Sequence, residues 1–340
     1  MSKKILFVIK KRNTSYGISF GLLNSAQKCI KAIIDLGYEA KLVQVFDNSN
    51  IDREVYLYKP DIVIIEALWV VPSKMKELSG LYPNIKWVVR VHSKTPFLAN
   101  EGIAFSWLKQ YTEISKANRN LFVAANNFDF NNDLSKVLGK DSVYLPNIYQ
   151  DVHTEKENTF SGIIKIGCFG SIRPLKNHVE QAVAAMIFAN QIGKRLEFHV
   201  NAGLLEQRGE EVLKNLRGIF ENNKNGHKLV EQAWMSHEAF IELVKSMDIG
   251  MQVSLSESFN IVSADFVSNN IPMVVSTDIS WMPFYSRCIP TSTKQIVKAL
   301  HTAWKFPILT KVNNWFLKRY NKKAINAWKN NLSLLLTKKF

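Results

Sequence analysis

A chain of 340 residues, 46% of them apolar, exceeds the usual size of one domain and can fill two sizeable cores, so two domains of about 150–180 residues are expected and bulk disorder is excluded. Its three cysteines, Cys29, Cys168 and Cys288, lie far apart and form no C-x-x-C, which excludes a cysteine metal site or disulfide framework and suits a reducing cytoplasm. The net charge of +15 is uneven: residues 1–150 carry +7, residues 151–300 carry −1, and residues 301–340 carry nine cations and no acid, a distribution that suits a polyanionic partner.

The apolar run Ile5 to Ile9, between lysines, is too short for a signal peptide and reads as a buried parallel strand within Lys3 to Lys10. A polar loop bearing Gly17 follows, then an amphipathic helix from about Leu22 to Leu36 with Gly37 as its C′ residue, then a strand from Lys41 to Phe46. This is a βαβ opening, yet neither G-x-G-x-x-G nor a P-loop spacing occurs. Asp61 to Leu68 and Lys86 to Val91 are further strands. The longest apolar stretch, Ile62 to Val71, is interrupted by Glu66 and is far short of the ~20 residues of a membrane span. His92 stands at the carboxyl end of the Lys86 strand, where ligands gather in open α/β sheets. Phe97 to Arg119 reads as a helical region whose Phe97, Phe105, Trp107 and Tyr111 shape a binding site or simply pack. Leu121 to Ala125 and Ser142 to Asn147 are strands, and the polar stretch 151–162 reads as a linker.

The second half opens with Lys165 to Asn177: a strand, a glycine turn, two cations and then a helix from Val179 to Gln191. Gly170 lets backbone approach a ligand, Arg173 can grip a phosphate with two N–H groups, and Lys176 adds a point charge. Two cations beside a helix start are unfavourable without an anion. Strands at Leu196 to Asn201 and Lys228 to Trp234 precede a helix capped by Ser236 and reaching Met247. The strand Asp248 to Val253 leads into Ser256-Glu257-Ser258-Phe259-Asn260-Ile261-Val262-Ser263-Ala264-Asp265, a polar loop and a short helix, followed by the strand Pro272 to Ser276. Glu257 lies in that loop and Asp265 on that helix, a spacing that lets both face one cleft, and the helix start offers unbonded N–H groups to a phosphate. Cations or N–H groups for a diphosphate, with carboxylates for hydroxyls, are the needs of a sugar nucleotide. No Asp-x-Asp occurs, so a metal-held diphosphate is not indicated. The tail from Asn313 to Leu335 is helical and basic, with Trp315, Phe316, Tyr320 and Trp328.

The stretch Glu257-Ser258-Phe259-Asn260, with Asp265-Phe266 after it, resembles the E-x7-E segment of GT-B fold, family-4-like retaining glycosyltransferases. That family usually reads Glu-Gly-Phe-Gly and then Glu-Ala, so Ser258, Asn260 and Asp265 are departures. The turn with Gly170, Arg173 and Lys176 resembles the family's G-R-x-x-x-x-K-G, with the arginine shifted along the loop. Leu145-Pro146-Asn147 is similar to the (I/L)-P-N-G that closes the first domain, with Ile148 for the glycine. The resemblance spans nearly the whole chain, strongly over 163–285 and loosely over 1–150.

This resemblance implies an α/β fold of the GT-B kind, two Rossmann-like domains with a donor cleft between them. Residues 1–150 would form the acceptor side, 151–162 a linker, 163–310 the donor domain, and 311–340 a basic helical segment crossing back onto the first domain. It implies metal-independent transfer of a hexosyl or pentosyl group from a nucleotide sugar, with retention, a UDP-sugar being the first expectation and no separate cofactor being required. Arg173 and Lys176 would neutralise the leaving nucleoside diphosphate, with N–H groups near Phe259 and Asn260. Glu257 would contact the donor sugar, Asp265 the ribose, and His92 the transferred sugar or acceptor. Gly17 and Gly170 would approach the phosphates. No protein nucleophile is implied. For the acceptor, the first reading is a hydroxymethylated base in phage DNA, flipped from the stack in the host cytoplasm. The second is a lipid or lipopolysaccharide at an anionic membrane surface. A third reading is a non-catalytic scaffold. The sugar, the nucleotide base and the oligomeric state stay open.

Overall fold

The structure, a computed structural model, describes residues 2–11, 20–150 and 162–337. Gly17 and residues 151–161 of the expected linker lie outside the described residues. The chain divides into two compact units, Met1–Gln150 with Asn321–Phe340, and Asp151–Tyr320.

In the first unit, β1 (Lys4–Lys10), β2 (Glu39–Val45), β3 (Ile62–Glu66), β4 (Lys86–Val91), β5 (Leu121–Ala125) and β6 (Val143–Tyr144) form one sheet. Its order is β2-β1-β3-β4-β5-β6 and every pairing is parallel. All of Ile5 to Ile9 and of Ile62 to Ile65 are buried, which is why these strands read as apolar runs. Helices α1 (Phe20–Asp35), α2 (Ile51–Tyr58), α3 (Pro72–Leu81), α4 (Thr95–Leu98), α5 (Ala104–Ala117) and α6 (Phe128–Leu138) connect the strands. The helical region read as Phe97 to Arg119 is two helices: Pro96 lies in the first turn of α4, and the chain breaks around Gly102 before α5.

In the second unit, β7 (Ile163–Cys168), β8 (Arg195–Asn201), β9 (Lys228–Gln232), β10 (Ile249–Gln252), β11 (Met273–Ser276) and β12 (Arg287–Cys288) form a parallel sheet of order β12-β11-β10-β7-β8-β9. Its helices are α7 (His178–Gln191), α8 (Gly209–Phe220), α9 (His237–Lys245), α10 (Ile261–Ser268) and α11 (Thr293–Lys305). The chain leaves β7 towards β8 on one side and later returns to β10 on the other. The carboxyl ends of β7 and β10 therefore flank a topological switch point, where ligands of open α/β sheets bind.

Two glycines set how closely α10 lies on this sheet. Gly167 of β7 pairs in register with Gly250 of β10. A Cβ on Gly167 would meet the Phe266 ring at 2.9 Å, and one on Gly250 would meet it at 2.6 Å. The missing side chains make a slot for Phe266, and α10 seats in it.

The last helix, α12 (Leu309–Thr337), contributes to both units. Within the second, Asn314 Nδ2 donates to Val267 O at 3.0 Å and to Asn270 Oδ1 at 2.8 Å. Within the first, Trp328 is fully buried and its Nε1–H donates to Pro146 O at 2.7 Å, while Asn331 Nδ2 donates to Tyr144 O at 2.8 Å. No described helix is long and apolar enough to cross a membrane.

Candidate functional site

The loops that leave β7 and β10 meet at the switch point. Gly170 has φ +108°, a conformation that favours glycine, and its N–H donates to Asn201 Oδ1 at 2.9 Å. Pro174–Lys176 form a single 3-10 turn, and Asn177 closes it at φ +59°. The Asn177 amide donates to Val253 O at 3.2 Å and Pro290 O at 2.8 Å, and Leu255 N–H donates to Leu175 O at 2.9 Å. These bonds clamp the two loops together. The result is an ion pair across the crevice: Lys176 Nζ lies 2.5 Å from Glu257 Oε1, with both side chains nearly buried. Burial alone would raise the Glu257 pKa. Lys176 first, then Arg173 and Ser254, outweigh it and hold the carboxyl below its ordinary range. The Glu257 N–H donates to Asp278 Oδ2 at 2.9 Å.

Arg173 has a partner that the sequence did not disclose. Its Nη1 donates to Glu206 Oε2 at 2.8 Å, and Ser171 Oγ donates to the same oxygen at 2.9 Å. Glu206 sits in the loop after β8, which is bonded along Ile172 and then passes through Gln207 and Arg208 at φ +48° and +67°. Such backbone is costly for residues other than glycine. Nothing in the sequence marks this glutamate.

The loop before α10 is held by a chain of amides. Gln252 Nε2 donates to Phe169 O, Asn260 Nδ2 donates to Gln252 Oε1, and Asn260 Oδ1 accepts the Ser263 N–H, each at 2.8 Å. Asn260 has φ +63° and caps α10. Where the resembled motifs carry glycine, Asn177 and Asn260 take the left-handed conformation that asparagine best tolerates after glycine. The Phe259 ring is buried between Trp281 and Tyr320, with centroids 5.6 and 5.1 Å away, and its backbone O accepts the Trp281 Nε1–H at 2.8 Å, so the ring itself is packed away from any ligand. The two acids take separate partners: Glu257 pairs with Lys176, whereas Asp265, buried on α10, accepts from His237 Nε2 at 3.1 Å.

His178, the first residue of α7, is buried, and neither ring nitrogen has a hydrogen-bond partner among the described residues. Burial, with Lys176 and Arg173 adding to it, pushes its pKa down to about 3. The folded state thus resists a proton that the unfolded chain accepts near 6.5, so stability falls as pH drops from 6.5 towards 3. His178→Leu is expected to flatten the melting temperature over that window relative to the unsubstituted protein. Parallel melting curves at every pH would contradict the burial account.

In the first unit, His92 follows β4 and lies against an ion pair. Glu66 and Arg90, paired in register on β3 and β4, are both fully buried. Arg90 Nη1 donates to both Glu66 oxygens at 3.0 Å, its Nε to Leu145 O at 2.8 Å, and its Nη2 to Asn147 Oδ1 at 2.7 Å. Its guanidinium lies 5.3 Å from the Trp328 ring. His92 Nε2 bonds the second Glu66 oxygen, and Asn126 Nδ2 approaches Nδ1 at 3.4 Å. Burial lowers the His92 pKa, and Arg90 adds to that against the pull of Glu66. A neutral ring donating from Nε2 to the carboxylate is the state these contacts fit. For Glu66, burial works upward, but Arg90 and His92 outweigh it and keep the carboxyl below its ordinary range. The sequence showed Glu66 only as a break in an apolar run; the signal lies in its register with an arginine on the neighbouring buried strand.

No family model matches the sequence, and no curated relative matches it. Solved structures do match over almost their full length. A trehalose-6-phosphate protein from E. coli, bound with UDP-2-fluoro glucose, has 11% identity and a TM-score of 0.71, covering 98% of this chain and 99% of the other. Sucrose-phosphate synthase from Thermosynechococcus elongatus has 12% identity and a TM-score of 0.70, covering 98% and 99%. An alpha-glucosyltransferase in complex with UDP and a 13-mer DNA containing a HMU base has 13% identity and a TM-score of 0.64, covering 99% and 100%. Together with the two parallel six-stranded sheets, these likenesses show that the chain has the two-domain α/β fold of the GT-B glycosyltransferases.

Proposed function

We propose that this chain is a nucleotide-sugar glycosyltransferase that transfers a sugar with retention to a hydroxymethylated base in DNA. The observation that carries the donor half is the Lys176–Glu257 pair at the switch point, with Arg173 beside it and the capped α10 following. Arg173 and Lys176 neutralise the charge that grows on the diphosphate as the glycosidic bond breaks, which is where fixed cations lower a barrier most. Backbone N–H groups near Phe259 and Asn260 assist, and Gly170 allows the phosphates close approach. Glu257 takes the donor-sugar hydroxyls, and the resemblance assigns His92 to the transferred sugar or acceptor. Two structures of this fold hold UDP or a UDP-sugar analogue, which supports a UDP-sugar as donor here.

The DNA half is supported by the likeness to a glucosyltransferase in complex with DNA and by the cations of residues 1–150 and 301–340. A lipid-linked acceptor at an anionic membrane surface is favoured by a different observation: Trp304, Phe306, Ile308, Val312 and Trp315 are exposed among Lys305, Lys311, Lys318 and Arg319.

The test is transfer of label from mixed nucleotide sugars to hydroxymethylated DNA, unmodified DNA and anionic vesicles. Incorporation into the modified DNA alone is expected, falling steeply with salt and absent in Glu257→Ala. Incorporation into lipid alone would replace the acceptor, and no donor turnover under any condition would remove the enzyme reading.

A further inference from the structure

Asp265 is the residue that the resemblance assigns to the donor ribose, yet its carboxylate is covered. Its side chain is 3% exposed and His237 lies over it, 25% exposed, with Nε2 3.1 Å from Asp265 Oδ1. Two features keep the acid back. Aspartate is shorter than glutamate by one carbon–carbon bond, about 1.5 Å. Its neighbour Phe266 is wedged into the slot made by Gly167 and Gly250, so α10 cannot roll to bring Asp265 forward. His237, by contrast, is the first residue of α9, whose start is fixed by Ser236: the Ser236 hydroxyl accepts the Ala239 N–H at 3.3 Å.

The protonation pattern follows from the geometry. A carboxylate oxygen only accepts, so Nε2 donates to it, and in the neutral ring Nδ1 then carries the lone pair. Among the described residues Nδ1 has no hydrogen-bond partner. The ring nitrogen left without a partner is therefore an acceptor while the ring is neutral, and an acceptor suits a hydroxyl.

We propose that His237 is the residue that contacts the donor's ribose, with Nδ1 accepting a hydrogen bond from a ribose hydroxyl. Asp265 is a positioning residue, which fixes the ring's tautomer and orientation. This rests on the donor-site reading given above and names within it a residue that the resemblance does not supply. It also accounts for the shorter acid, since the histidine supplies the reach that aspartate lacks.

The test is calorimetric binding of UDP, 2′-deoxy-UDP and 3′-deoxy-UDP, with the ADP and GDP sets alongside, to the unsubstituted protein, His237→Ala and His237→Gln. Removal of the contacted hydroxyl is expected to weaken binding to the unsubstituted protein about ten-fold. In His237→Ala the parent diphosphate binds about ten-fold more weakly and its deoxy analogue equally so, which erases the discrimination. His237→Gln, which keeps an acceptor, retains part of it. A uniform loss in His237→Ala with discrimination intact would overturn the inference, because a histidine that only ties α9 to α10 cannot sense one hydroxyl. Absence of binding of every diphosphate by the unsubstituted protein would overturn the donor reading and the inference with it.

Discussion

On the proposed function, Lys176→Ala is expected to lower donor turnover by about 10²–10³-fold, the usual cost of deleting one preorganised group that stabilises developing charge. Two losses combine. The diphosphate loses its point cation, and Glu257 loses the partner that lies at 2.5 Å. Lys176 is the leading influence holding the Glu257 pKa down, so without it the buried carboxyl moves upward and competes less well for sugar hydroxyls. The double variant Lys176→Ala/Glu257→Ala should therefore be much less than additive, since the two act as one unit. Steady-state rates for the three variants decide this. A Lys176→Ala rate within three-fold of the unsubstituted enzyme, or fully additive losses, would place the diphosphate elsewhere.

Glu66→Ala is expected to destabilise the first unit by about 3–5 kcal/mol, the cost of leaving one member of a buried ion pair uncompensated. Arg90 is fully buried on β4 and holds Leu145 O and Asn147 as well as Glu66, so it cannot swing out to water. Glu66→Gln should recover only part, because the amide keeps the shape but not the charge. The pH dependence has one sign. Glu66 is held below its ordinary pKa, so its contribution is present above the ordinary carboxylate range and fades as pH falls through the folded value. His92 is also held low, so the unfolded chain takes its proton first and stability drops as pH falls below 6.5. Both make the unit acid-labile. Denaturant unfolding followed by the signal of Trp87 or Trp328, at neutral and acid pH, measures both effects. A loss below 1 kcal/mol would mean that water reaches Arg90.

The parallel sheets were legible because strands buried on both faces, such as Ile5 to Ile9, have no polar alternation to confuse them. Gly170, Lys176 and Glu257 stood out in the sequence for a different reason: a tight turn, a cation and an acid at fixed spacing report one local requirement each. What escaped depends on register and on loops remote in sequence. Glu66 meets Arg90 only because β3 and β4 align them. Glu206 meets Arg173 only because the loop after β8 is bonded along Ile172. His237 meets Asp265 only because α9 packs against α10. The break at Gly102 was hidden by the aromatic content on either side of it.

Asn177 and Asn260 carry a further consequence, which lies in the unfolded chain. Glycine at these two positions would roam freely before folding and would surrender that freedom on ordering. Asparagine roams less, and its amide recovers part of the left-handed cost through bonds to Val253 O, Pro290 O, Gln252 and Ser263. In the folded protein the same amide bonds hold the turns on either side of the switch point before the proposed nucleotide arrives. Less conformational entropy is then left to lose on binding, so the same contacts yield a tighter complex than more mobile glycine turns would give.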